Sequence, residues 1–268
     1  MNRLVVLPLC ARDLSLAEIV IPCIERASTM PGELWIGWND TNDPPAWLSG
    51  PGRVVQTFPQ CLGWAGISRI IGQGFLHALQ FGYDAAIKMD ADTAIIRSGW
   101  DTALTQPVLS TPQTPGITGH IMYVLDETGT GTPCQWQLQH CEWIGKIEWP
   151  NPLVKYGYAQ GGGYAMNRLC LQRIEQARGL LPRGAETSLP EDHLFTLKAG
   201  FIGAKVYPNG ASALAHEAGS DYAYFVHPIK DPAALRWFCR DILEGDISAK
   251  LEKISRELAA LRGRNEQS

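Results

Sequence analysis

Along the first hundred residues, apolar positions come in short blocks divided by polar and turn-forming stretches. Leu4–Leu9 (LVVLPL) is a continuous apolar run of strand length, the pattern of a strand covered on both faces. From Ser15 to Ala27 the apolar residues recur at helical spacing, which predicts a first helix. Glu33–Trp38 (ELWIGW) predicts a second strand, ending in Asn39-Asp40, and Thr41-Asn42-Asp43-Pro44-Pro45 is turn chemistry. Arg53–Phe58 predicts a third strand. Ile67–Phe81 predicts a helix with Ile70, Ile71, Phe75, Leu76 and Leu79 on its apolar face and Gly82 as its C-cap. Ala85–Met89 (AAIKM) predicts a fourth strand that runs straight into Asp90-Ala91-Asp92.

Strands alternating with helices predict an α/β fold: a mostly parallel central sheet with helices on both faces. Ligands of such sheets sit beyond the carboxyl ends of the strands, where Asn39-Asp40 and Asp90-Ala91-Asp92 both fall. Further on, Gly116–Val124 reads as another strand. The stretch from Asp126 to Gln160 is rich in Gly, Thr, Pro and Trp without a clear period, and reads as a long functional or mobile excursion over the sheet. Regular structure resumes over Gly163–Arg178, followed by a helix over Pro190–Ala199 and a strand over Ala204–Tyr207. From Asp246 the chain is charged, and Ile247, Leu251, Ile254, Leu258 and Leu261 form an a/d seam about two heptads long. That seam predicts a C-terminal helix, which either packs on its own domain or makes a homo-oligomer.

The chain has 268 residues, of which 45% are hydrophobic and 19% charged, enough apolar material for one large domain. The expected organisation is a single domain over 1–245 and the helix over 246–268. The net charge of −4 gives no bulk basic character, so a DNA partner would need a local basic face. The seven cysteines are scattered and lack C-x-x-C spacing, which predicts reduced, mostly buried thiols, with Cys134 and Cys141 the one pair to test for a disulfide. No run approaches the ~20 apolar residues of a transmembrane segment. The expectation is therefore a cytoplasmic protein of bacterial, archaeal or viral type, or a shortened form of an anchored one.

Chemistry concentrates at Lys88-Met89-Asp90-Ala91-Asp92-Thr93. Two carboxylates one residue apart at a strand end supply hard oxygen ligands suited to Mn²⁺ or Mg²⁺. A cation held there can neutralise the diphosphate of a leaving group. Three successive glycines, Gly161, Gly162 and Gly163, allow unusual dihedrals or close backbone approach to a ligand. Glu191-Asp192 follows Pro190 in a first helical turn, where the helix dipole favours anions. Asp40 can accept hydrogen bonds from a base or ribose, and Arg12 and Arg69 can line the same pocket. Trp136, Trp143 and Trp149 fit either an acceptor platform or a small core under the loop.

In order along the chain, Asp90-Ala91-Asp92, Gln160-Gly161-Gly162-Gly163-Tyr164-Ala165-Met166, Leu189-Pro190-Glu191-Asp192-His193 and Phe225-Val226-His227-Pro228 resemble the motif set of GT-A fold glycosyltransferases, fringe-like and galactosyltransferase-like members in particular. The resemblance spans about residues 1–230, and it implies a catalytic domain over 1–245 with a nucleotide-binding half over 1–100 and an acceptor half over 101–245. It implies a GT-A type, Rossmann-like fold and a metal-dependent hexosyltransferase using a nucleotide sugar, most commonly a UDP-sugar. It implies Asp90, Asp92 and His227 as metal ligands, with His216 a competitor for the histidine's role. It implies Asp192 as general base of an inverting reaction and Glu191 as a group orienting an acceptor or sugar hydroxyl. Nucleotide contacts would come from Arg12, Asn39, Asp40, Asp90, Ala91 and Lys230, and from Arg69 in Gly66-Ile67-Ser68-Arg69, which resembles the family's small-residue-plus-arginine element. Gly161, Gly162, Gly163 and the three tryptophans would form the sugar and acceptor side. The acceptor stays open among a glycan, a protein, a small molecule and hydroxymethylated viral DNA.

Two other readings fit part of the pattern. Asp90-Ala91-Asp92-Thr93 also resembles the D-x-D-x-T of haloacid-dehalogenase-type phosphatases, with Asp90 as nucleophile and Asp92 as acid/base. That motif normally lies on the first strand, however, and here α/β structure precedes it. A non-catalytic nucleotide- or carbohydrate-binding protein would bind donor without turnover.

Overall fold

The computed structural model describes residues 1–58, 63–123, 157–214 and 223–245. Within them a seven-stranded sheet has the order β3-β2-β1-β4-β7-β6-β8. Its strands are β1 (Arg3–Leu9), β2 (Gly32–Trp38), β3 (Arg53–Thr57), β4 (Ala85–Met89), β6 (Gly116–Tyr123), β7 (Gly157–Asn167) and β8 (Lys205–Pro208). All neighbours pair in parallel except β7, which runs antiparallel to both β4 and β6. A second sheet of three short strands has the order β5-β10-β9, with β5 at Ala94–Ile95, β9 at Ser212–Leu214 and β10 at Phe225–His227.

Helices cover both faces, which is why the strands read as unbroken apolar runs rather than alternating ones. On one face Val5, Leu7 and Leu9 of β1 pack with Val20, Ile21 and Ile24 of α1 (Leu14–Ala27) and with Trp100 and Leu104 of α3 (Trp100–Leu109). On the other face Leu4 and Val6 meet Ile71 and Phe75 of α2 (Gly63–Phe81), Leu171 of α4 (Arg168–Ala177) and Phe195 of α5 (Glu191–Phe201). Two short helices, α6 (Pro232–Phe238) and α7 (Arg240–Glu244), follow β10. The sheet is continuous across residue 100, since β7, β6 and β8 extend the edge that β4 begins.

The elements expected in the first ninety residues are present, most with ends moved by a residue or so; α2 begins earlier, at Gly63. Differences begin after β4. The helix α3 was not among the expected elements, and it carries Pro107 within it. The glycine run is not an irregular loop. It lies inside β7, and none of its glycines has positive φ. Cys10, Cys23, Cys170 and Cys239 are free and buried. Cys134 and Cys141, the tryptophans Trp136, Trp143 and Trp149, His216 and the 246–268 seam lie outside the described residues. Among the described residues no helix is long and apolar enough to cross a membrane.

Candidate active site

Four segments meet at the carboxyl end of β4. The apolar strand Ala85–Met89 delivers Asp90 and Asp92 there, and β5 leaves two residues later. The antiparallel pairing of β5 with β10, Ala94 opposite Val226 and Ile95 opposite Phe225, then sets His227 beside Asp92. The Ile229 amide donates to the Asp92 carbonyl at 2.7 Å and locks this junction. His227 Nε2 lies 2.9 Å from Asp92 Oδ1 and 3.5 Å from Asp90 Oδ2. One ligand atom from each of the three falls within 4.8 Å of the others. Two carboxylate oxygens and an imidazole nitrogen, all partly buried, form a donor set that fits Mn²⁺, with Mg²⁺ served by the oxygens.

The glycine run forms the floor. Between Ala159 and Tyr164 of β7 the register against β6 jumps: Ala159 faces Ile121 and Tyr164 faces Gly119, so four residues stand opposite one. Such a bulge leaves backbone groups without ladder partners. Here the Gly161 carbonyl accepts from Lys88 Nζ, and the Gly162 carbonyl accepts from Thr93 Oγ1 at 2.8 Å. The glycines are needed for space. A Cβ at Gly162 would overlap Cβ and Cγ of His227, one at Gly163 would lie 2.5 Å from the Phe225 ring, and one at Gly161 would face Glu191, Lys88 and Asp192 at 3.0–3.3 Å.

Lys88 is the centre of charge, and it was not singled out in the sequence. It is 1% exposed, with Nζ 2.8 Å from Asp90 Oδ1 and 2.5 Å from Glu191 Oε1. Burial alone would lower the pKa of its ammonium, but Asp90 and Glu191 outweigh that and hold it above the ordinary lysine value. A charged residue inside an otherwise apolar strand was the available signal. Glu191 is buried too: Oε1 pairs with Lys88 and Oε2 accepts the Tyr164 hydroxyl at 2.9 Å. Burial pushes its carboxyl pKa up, against the pull of Lys88. Burial would raise Asp92 as well, yet His227, Lys230 and Lys88 outweigh it and hold Asp92 below the usual carboxylate value.

Asp192 differs from its neighbour. It is half-buried at the mouth of the same helix turn, and its Oδ1 accepts the His193 amide at 2.8 Å. The rings of Tyr158 and His193 lie against each other beside it, tilted by 35° with centroids 3.8 Å apart. Gln160 was another residue without an assigned role, and its amide nitrogen contacts His227 Nδ1.

The expected nucleotide contacts line the same sheet edge. The 3-10 turn Ala11–Asp13 leaves β1, and its Ala11 amide donates to Asp40 Oδ2 at 3.1 Å. The Asn42 and Ala11 amides hold the half-buried Asp40 carboxyl below its ordinary pKa. Arg12 is largely exposed at that exit. Asn39 is buried, its amide donating to the Leu9 carbonyl at 2.7 Å. Ala91 turns its methyl into the core, so any ligand contact there is through its backbone. Arg69 is exposed on the first half of α2, next to Ser68, whose hydroxyl reaches the Leu189 carbonyl before α5. Lys230 is exposed just past His227. No protein-family model matches the chain, and no curated protein shows significant similarity to it.

Proposed function

We propose that this chain is a metal-dependent glycosyltransferase of GT-A type that moves a sugar from a nucleotide sugar, a UDP-sugar in the first instance, to an acceptor hydroxyl with inversion. The observation that carries the reading is the cluster of Asp90, Asp92 and His227, with His227 lying against Gly162, and the half-buried Asp192 beside the adjacent Gly161. Asp90, Asp92 and His227 hold the cation, which when bound supplies charge neutralisation for the nucleoside diphosphate leaving group. Asp40 and the exits of β1 and β2 receive the nucleoside, and Lys230 approaches the phosphates.

Asp192 is the general base. Glu191 cannot share that task, because both its oxygens are engaged by Lys88 and Tyr164. Its part is to hold α5 against β4. Asp192 accepts the acceptor hydroxyl's proton as that oxygen attacks the anomeric carbon from the face opposite the diphosphate. The Tyr158–His193 ring pair walls the side from which the acceptor arrives. A phosphatase reading leaves His227 and the glycine bulge without a role.

The test is a thermal-shift series with UDP, GDP, CMP and TDP, each with and without Mn²⁺. A ligand that binds only the folded state at a hundred times its Kd stabilises it by about 2.7 kcal/mol. The expected result is a Mn²⁺-dependent rise for one nucleotide, lost in Asp92→Ala. A rise only with Mg²⁺ and a phosphate mimic would replace the transferase with the phosphatase.

A further inference from the structure

Lys88 sits one residue before the end of β4, opposite Tyr164 of β7 and on the same sheet face as Ala86. Its side chain is buried where β4, the glycine bulge and the first turn of α5 meet. A lysine ammonium has three N–H donors and no acceptor. Three oxygens match them: Asp90 Oδ1 at 2.8 Å, Glu191 Oε1 at 2.5 Å and the Gly161 carbonyl. Each comes from a different piece of the fold, so β4, β7 and α5 together set where the ammonium lies.

The consequence falls on Asp90. Its Oδ1 is taken by Lys88, and its Oδ2 is turned toward His227, 3.5 Å from Nε2. A carboxylate free to rotate can meet a divalent cation with one oxygen or with both. Here one oxygen is held by an ammonium that cannot shift without leaving Glu191 and Gly161. Glu191 is held in turn, because its Oε2 accepts the Tyr164 hydroxyl at 2.9 Å. Stability alone does not call for such an arrangement, since well-packed neutral side chains in place of a buried ion pair are often no less stable.

We infer that Lys88 is a positioning residue of the cation site, holding Asp90 by one oxygen so that the other, Oδ2, is presented beside Asp92 and His227 as a single-oxygen ligand. The inference rests on the reading of Asp90, Asp92 and His227 as cation ligands. Lys88 acts only through Asp90. By itself its positive charge would repel a divalent cation. Glu191, on the same ammonium, offsets that charge. Groups that hold a ligating side chain in this way commonly contribute about 10–100-fold to metal affinity.

The experiment compares wild type with Lys88→Met/Glu191→Gln in the full chain without nucleotide. Mn²⁺ affinity is read by calorimetry, and the melting temperature is read without added metal. The double variant removes one positive and one negative charge together, so a change of affinity reports on the orientation of Asp90 rather than on net charge. The expected result is Mn²⁺ binding about 10–100-fold weaker at a melting temperature close to wild type. Wild-type affinity in the variant overturns the role of Lys88 and leaves the cation cluster standing. A crystal structure of wild type with Mn²⁺ bound keeps the test decisive if the variant melts well below wild type. In it Asp90 should ligate through Oδ2 alone while Oδ1 stays on Lys88, and a bidentate Asp90, or one released from Lys88, overturns the inference. If wild type binds no Mn²⁺ in calorimetry, the cation reading itself fails and takes this inference with it.

Discussion

At the scale of single residues, space is as decisive as charge. Gly162 has no strained dihedral, but its missing side chain is what lets His227 lie beside Asp92. Gly162→Ala should therefore push β10 away from β7 and weaken Mn²⁺ binding at least about tenfold, a loss comparable to that of a ligand's supporting partner. Gly50→Ala is the control, since a Cβ there meets nothing within 4 Å. Calorimetric Mn²⁺ titration of both variants checks the prediction, and equal affinities would mean that His227 is no ligand. The sequence signalled close approach at the glycine run, but not what approaches. The neighbour is a strand at positions 225–227, distant in the chain and held in place by the pairing of β10 with β5. Lys88 was equally visible as a charge within an apolar strand, yet its partners Asp90 and Glu191 become apparent only when β4 and α5 are packed together.

Elements were legible in proportion to their periodicity. The strands β1, β2 and β4 are covered on both faces, so their sequences are continuous apolar runs that need no tertiary knowledge to find. The strands β5, β9 and β10 have two or three residues each, too few for any period, although they decide where His227 goes. The helix α5 lies between these cases. Pro190 and the acidic first turn announced its start, while its anchoring depends on contacts made elsewhere in the chain. Phe195 meets Phe75 edge-on at 5.0 Å, and Thr196 Oγ1 accepts the Ala159 amide at 2.9 Å. With Glu191 tied to Lys88, the helix presents Asp192 as a fixed carboxylate. Asp192→Asn preserves shape and these anchors, so nucleotide- and Mn²⁺-dependent thermal shifts should persist. The transfer rate should fall about 10²–10⁴-fold, the usual contribution of a positioned general base. Steady-state kinetics with a competent acceptor decides this. An undiminished kcat would remove Asp192 from the chemistry and favour a retaining mechanism.

Across the whole molecule, the two edges of the sheet have different tasks. The carboxyl edge gathers the candidate ligands, while the amino edge is fastened by Asp101 at the start of α3. This fully buried carboxylate accepts from the Met30 amide at 2.9 Å, the Thr29 amide at 3.0 Å and hydroxyl at 3.1 Å, and the Thr102 amide at 2.9 Å. Arg3, the first residue of β1, adds an ion pair at 3.3 Å. Burial lowers the pKa of the Arg3 guanidinium, and Asp101 opposes that shift, so the arginine depends on its partner. Removing one member of a buried pair leaves the other charge uncompensated and typically costs about 3–5 kcal/mol. At about 2–4 °C per kcal/mol for domains approaching this size, Asp101→Ala should lower the melting temperature by about 6–20 °C. Below that transition the carboxyl edge is intact, so Mn²⁺ affinity at 25 °C should match wild type. Calorimetric melting and Mn²⁺ titration of the same sample separate the two quantities. If Asp101→Ala instead weakened Mn²⁺ binding as strongly as Gly162→Ala, the edges would be mechanically coupled through β1 and β4, and the division of labour between them would not hold.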